Sequence, residues 1–152
     1  MSQIHHTALI GRVPEHRDYL RNPERKFYSV KLGEGIVVQP FVTVDGGIER
    51  PTQIGDNCLL LTKCHVGHDA LVGNGVEIAT GAIIGGHCQI GDGVKIGLNA
   101  TIKPFVKIGA GARIGMGAVV ICDVPAGRVF AGNPARDLRP PATDSELVKT
   151  CC

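Results

Sequence analysis

The sequence predicts an all-β chain wound as a parallel β-helix, and three observations carry that reading. Every sixth residue from Val30 to Val120 is Val, Ile or Leu. The residue two places before each is small or compact from Thr52 to Ala118, and Gly often follows the aliphatic one, as at Gly67, Gly73, Gly85 and Gly91. Hydrophobic residues make up 43% of the chain but aromatic ones only 4%, with no Trp. A strand alternates with a period of two and a helix with a period near 3.6. An unbroken hexad belongs instead to short strands stacked in a solenoid. Each hexad sends one large and one small side chain inward and then turns a corner, so three hexads close one triangular coil. A narrow core of stacked Ile, Val, Ala and Cys explains the scarcity of rings. At a strand spacing of ~4.8 Å, the roughly five coils of the periodic stretch stand about 25 Å tall.

A starting coil is expected at residues 1–11, where Ile4 and Ile10 lie six apart. Residues 12–29 break the pattern with five basic and three acidic residues, two prolines and both tyrosines. They read as a loop excursion, either one that binds or one that is merely charged and solvated. Asp45 to Pro51 reads as a second loop, although Ile48 keeps the six-residue count. The regular solenoid runs from Thr52 to Val120, and the chain leaves the pattern after Val124-Pro125-Ala126-Gly127. One β-helix domain over 1–137 is therefore expected, followed by a polar, frayed tail over 138–152. Open solenoid ends need caps, and flat faces favour a closed homo-oligomer such as a trimer.

A net charge of +2 argues against a dedicated nucleic-acid binder. No segment has the ~18 apolar residues of a membrane span, and the start MSQIHHT is not a signal peptide, so a cytoplasmic location is expected. Of the six cysteines, Cys58, Cys64 and Cys88 occupy the small inward position, where a thiol packs as a small hydrophobe. Cys122 falls at an outward corner, and no pair has zinc-ribbon spacing, so reduced thiols are expected.

Residues 18 apart stack at one corner in successive coils. The first corner column holds Asp56-Asn57, Asn74-Gly75, Asp92-Gly93 and Ala110-Gly111, read as turn formers. The second holds Thr62-Lys63, Thr80-Gly81 and Leu98-Asn99. The third holds His68-Asp69, Gly86-His87, Pro104-Phe105 and Cys122-Asp123, is poor in turn formers, and carries histidines one coil apart. His68 suits general-base work, with Asp69 placed to orient it and the Gly86 N–H able to face an oxyanion. The plainer alternative is a surface histidine beside a solvated aspartate.

These residues match a known pattern. Cys64-His65-Val66-Gly67-His68-Asp69-Ala70 resembles the His-x-x-His-Asp segment of the UDP-N-acetylglucosamine O-acyltransferases of lipid A synthesis, within the hexapeptide-repeat acyltransferase superfamily. Ile83-Ile84-Gly85-Gly86-His87 resembles that family's Gly-His segment at the same spacing, and Ile4-His5-His6-Thr7-Ala8 is similar to its N-terminal Ile-His-Pro-Thr-Ala. Asp123 to Gly127 and Gly132 to Arg136 resemble the terminal segment of sialic-acid-type sugar acetyltransferases. The resemblance implies a left-handed β-helix, a homotrimer with sites between subunits, and an acyltransferase acting on a hydroxyl or amine of a sugar or nucleotide-sugar. In its terms His68 is the general base with Asp69 beside it, Gly86 supplies the oxyanion N–H, and His65 and His87 line the substrate cleft. Lys103 and Arg136 are candidates for the phosphates of acetyl-CoA or another acyl-CoA. The lipid A enzymes carry a C-terminal helical domain that this tail is too short to form, which favours a short acyl-CoA over an acyl carrier protein donor.

Two other readings share the scaffold. A γ-class carbonic anhydrase needs three zinc-binding histidines, with a second histidine five residues after Val-Gly-His; here Val66-Gly67-His68 is followed at that place by Gly73. No metal is therefore expected. A non-catalytic trimeric scaffold would have no need of His68, Asp69, Gly86 and His87 together.

Overall fold

The computed structural model describes residues 1–22 and 24–138; the expectations for the rest of the tail lie outside the described residues. The chain winds as a prism with three parallel faces. One sheet has eight strands, one has six and one has five, and consecutive strands always fall on different sheets until the closing pair. Most strands are only two residues long, such as His65–Val66, Leu71–Val72 and Ile83–Ile84. From Gln53 to Val120 strand residues pair with those 18 positions away, as in Ile84 with Val66 and Ile102.

The core is the stack that the hexads predict. Leu60, Val66, Ile78 and Ile84 are fully buried, with Ala70, Ala82, Ala100 and Cys88 filling the smaller positions. Burying each large aliphatic side chain is worth about 1.5–3 kcal/mol. Cys58, Cys64 and Cys88 are buried free thiols. Burial pushes Cys64 up to about 12 and Cys88 up to about 11, which keeps them inert.

The first coils correct one detail of the reading. Ile54 pairs with Leu32, and Val44 with Ile10 and Val66. The large inward positions there are Ile4, Ile10, Leu32, Val38 and Val44, not the series through Val30 and Ile48. Val30, Ile36 and Val42 stand instead at the level of Thr52, Cys58 and Cys64, the smaller inward position. The cause is an insertion between Asp45 and Thr52, which shifts the frame while another aliphatic residue happens to keep the count.

Corrected register also places both loops. The first leaves after strand Leu9–Arg12 of the six-stranded sheet and returns at Val30–Leu32 of the five-stranded sheet. The second leaves after Thr43–Asp45 and returns at Thr52–Ile54, between the same two sheets. That is the corner occupied by His68-Asp69, Gly86-His87 and Pro104-Phe105 in later coils.

Candidate active site

Corner chemistry differs around the prism. At the first corner three successive turns are capped by a side chain one coil on: Glu34 N–H donates to Asp56 at 2.8 Å, Asp56 N–H to Asn74 at 2.8 Å, and Asn74 N–H to Asp92 at 2.7 Å. The equivalent donor at the third corner is the Gly86 N–H, and the residue one coil on is Pro104, which has no side-chain acceptor. Gly86 N–H makes no hydrogen bond among the described residues. The backbone there shares the left-handed turn of the other corners, where Asn57, Lys63 and Asn99 also have positive φ. Asp69, His87 and Phe105 sit at φ 60°, 61° and 68°, the left-handed region that glycine occupies at Gly75 and Gly93. Each non-glycine residue in that region costs about 1–3 kcal/mol, a strain that collects where a side chain is required.

His68 stands over Gly86. A Cβ built on Gly86 would lie 2.8 Å from His68 Cε1 and Nε2, so glycine is needed for this approach. One coil earlier, a Cβ on Gly67 would fall 2.7 Å from the Gly86 nitrogen, which is why the stacked corners close this tightly. His68 Nδ1 bonds Asp69 Oδ2 at 2.8 Å. With the carboxylate accepting, Nδ1 carries the proton and Nε2 presents a lone pair, as the network assigns it.

Asp69 is fully buried. Its Oδ1 accepts N–H bonds from Glu49 and Arg50 at 2.8 Å, and Ile48 N–H reaches both oxygens at 3.1 Å. Burial opposes its charge, but the loop N–H groups and the His68 ring outweigh it and hold the carboxyl below its ordinary value. The second loop is thus an anion cradle for the residue that orients His68.

The remaining rings form a line. His87 lies edge-on to His68, centroids 5.1 Å apart, and Phe105 stacks flat on His87 at 4.5 Å. From the first loop, His16 meets His68 edge-on at 6.1 Å. On the sheet face beside the corner, His65 Nδ1 is 2.9 Å from Thr43 Oγ1 and its Nε2 is 3.9 Å from the buried Asp45. Burial lowers the His65 pKa, with Asp45 pulling the other way. Asp45 is pushed up by its burial, against His65 and against Arg12, whose Nε lies 3.1 Å away.

The structure therefore brings His65, His68, Asp69, Gly86 and His87 together. Lys103 is exposed and directly precedes Pro104-Phe105, which places it at the same corner one coil beyond Gly86. Arg136 lies elsewhere, in the closing strand Arg136–Asp137 of the eight-stranded sheet, with its guanidinium on the Ala135 carbonyl. The sequence pattern names neither His16, Asp45 nor Thr43, whereas Phe105 stands in the third corner column.

Ligand atoms of His68, Asp69 and His87 lie within 4.8 Å of one another, the one such group among the described residues. Its donors are already engaged: His68 Nδ1 is bonded to Asp69, and both Asp69 oxygens accept loop N–H groups. His68 Nε2 stays open, and an Nδ1 bond to a carboxylate supports that atom equally as a base or as a ligand.

Residues 51–86 and 87–122 match the family model described as bacterial transferase hexapeptide (six repeats). This is a hexapeptide-repeat chain. Among curated proteins, one relative of the hexapeptide-repeat stretch is the acyl-[acyl-carrier-protein]–UDP-N-acetylglucosamine O-acyltransferase of Trichlorobacter lovleyi, 36% identical over 81 residues, which are 51% of this chain and 30% of that protein. Among solved structures, LpxA from Acinetobacter baumannii superposes with a TM-score of 0.84 at 28% identity, over 90% of this chain and 53% of the other. A perosamine N-acetyltransferase mutant from Caulobacter crescentus, in complex with CoA and GDP-perosamine, superposes with a TM-score of 0.76 at 25% identity, over 92% of this chain and 57% of the other. The hexapeptide-repeat chain thus spans less than a third of the curated relative and about half of the solved ones. Among its described residues no helix is long and apolar enough to cross a membrane.

Proposed function

We propose that the chain is an acyltransferase that moves a short acyl group, acetyl in the first instance, from acyl-CoA to a hydroxyl or amine of a sugar or nucleotide-sugar. The observation that carries this is His68, its Nδ1 fixed at 2.8 Å from a buried carboxylate and its ring laid over the Cα of Gly86, whose own N–H has no hydrogen bond among the described residues. Nε2 takes the proton of the acceptor hydroxyl or amine as that atom attacks the thioester carbonyl. Asp69 stabilises the imidazolium, and the Gly86 N–H meets the tetrahedral oxyanion. Collapse expels the CoA thiolate, which recovers the proton from His68. No covalent intermediate is required. His87 and His65 line the approach, and Lys103 is placed to meet a CoA phosphate; Arg136 reaches the corner of its own chain less readily.

A homotrimer fits the faces of the prism. The outward residues of the six-stranded sheet are Leu9, Thr43, His65, Ile83, Thr101 and Val119, none of them Lys, Arg, Asp or Glu. The eight-stranded sheet presents Glu77, Lys95 and Arg113 outward, and the five-stranded sheet Lys31 and Lys107. The uncharged face borders the histidine corner, so packing there closes the site against a neighbouring copy.

An acyl carrier protein donor is a second reading, supported by what the curated relatives are named for. Titration with acetyl-CoA separates the two: saturable binding near one site per chain supports the CoA donor, and absence of binding alongside transfer from acylated carrier protein supports the other. Replacing His68 with Ala should abolish transfer, a loss of about 10²–10⁴ in rate, while the protein stays folded. Normal turnover by that variant would defeat the assignment.

A further inference from the structure

The first loop carries a depression that the mechanism above leaves unused. It has a volume of about 340 Å³ and is lined by Tyr19, Arg25, Lys26, Phe27, Tyr28 and Ile48, within the range usual for small-molecule sites. We propose that it anchors the nucleoside diphosphate end of the acceptor, with His16 guiding the sugar from there to His68. This rests on the acyl-acceptor reading given above.

The depression is built rather than incidental. Tyr19 is 3% exposed, meets Phe27 edge-on at 6.4 Å, and donates its hydroxyl to the Lys26 carbonyl at 3.3 Å. Tyr28 and Gly47 exchange two backbone hydrogen bonds of 2.8 Å, which tie the first loop to the second. A pre-formed floor avoids the ordering cost of a flexible one.

Its lining has the chemistry of a ring beside an anion. Tyr28 is half exposed and offers a face for a base. Arg25 and Lys26 supply two cations, and no carboxylate is among the lining residues. Arg25 is held over the Tyr19 ring at 4.9 Å and reaches Asp18 at 3.5 Å, while Lys26 has no carboxylate partner among the described residues. One cation without a carboxylate partner, Lys26, and a second shared with Asp18 stand beside aromatic faces, a setting that suits a diphosphate joined to a planar base.

Position links the depression to the reaction. Ile48 lines it and also gives its N–H to both oxygens of Asp69. Ring-to-ring steps of 6.4 Å from Tyr19 to His16 and 6.1 Å from His16 to His68 lead from its wall to the base. His16 Nδ1 accepts the Asp18 N–H, so its Nε2 carries a proton and is a donor for a sugar hydroxyl along that path.

The test is calorimetric titration of the full chain with UDP, GDP and ADP, with acetyl-CoA titrated in parallel. One of the diphosphates should saturate near one site per chain. The variants Lys26→Glu and Tyr28→Leu, both at exposed positions, should each weaken it about tenfold or more and leave acetyl-CoA binding unchanged. A diphosphate that binds equally well to wild type and both variants would overturn the assignment, and so would the absence of binding by all three. Acetyl-CoA binding that persists in that case would leave the acyltransferase reading standing and remove only this subsite; loss of both would remove both.

Discussion

Gly86→Ala tests the geometry of the proposed base without touching its chemistry. The new Cβ would lie 2.8 Å from two atoms of the His68 ring and 3.1 Å from a third. Ordinary carbon contacts are about 3.5–4.0 Å, so the ring must move by roughly 1 Å. The obstacle is a side chain rather than backbone, and Gly86 is not among the positive-φ residues, so the coil itself accommodates alanine. The ring cannot move that far and keep its 2.8 Å bond to Asp69 while aiming Nε2 at the same point. A misplacement of this size costs about 10² in rate. Steady-state kinetics should show kcat falling by that order, with KM for the donor and the melting temperature little changed. The double variant with His68→Ala should be no slower than His68→Ala alone, because both remove the same function. Wild-type kcat in Gly86→Ala, or additive losses in the double variant, would refute the placement of the base.

Asp69→Asn puts an amide where three loop N–H groups and a histidine need an acceptor; it should lower stability by about 2–4 kcal/mol, read by thermal or urea unfolding, and cut turnover with it by leaving His68 free to adopt the other tautomer. Pro104→Asn recreates at the third corner the cap that Asn74 and Asp92 provide at the first; its side chain should occupy the Gly86 N–H and lower kcat about 10²–10³-fold with the fold intact. His65 has a pKa below its unfolded value, so the unfolded chain binds the extra proton first. Its contribution to stability is therefore complete above about pH 6.5 and is lost as pH falls toward the lower folded value. Melts between pH 7 and pH 5 should show that decline, and His65→Gln should flatten it.

From Thr52 onward the sequence was nearly a direct transcript of the prism, because hexads of Ile, Val, Ala and Cys admit one stacking register and every coil repeats it. Before Thr52 the same arithmetic misled. An insertion is invisible to a periodicity count when a residue such as Ile48 falls in step, and only pairing such as Leu32 with Ile54 reveals the slip. Of the candidate site, His68, Asp69, Gly86 and His87 were legible because they share one corner column. The loop N–H groups on Asp69 could not be read, since backbone donors carry no residue identity. His16 and Asp45 depend on where a loop folds back, which local pattern does not record. The free Gly86 N–H is legible in hindsight, from proline standing where the first corner has Asn or Asp.

The site draws on five successive coils: the first loop, the second loop, His68, Gly86 and Phe105. In a stack where each layer touches only the layers beside it, unravelling proceeds layer by layer from an open end. Catalysis and ellipticity should then part company on heating. Peeling the first two layers removes the cradle of Asp69 while most of the β signal survives, whereas fraying beyond Val120 leaves the reacting corner intact. Turnover in this molecule is a gauge of which end lets go first.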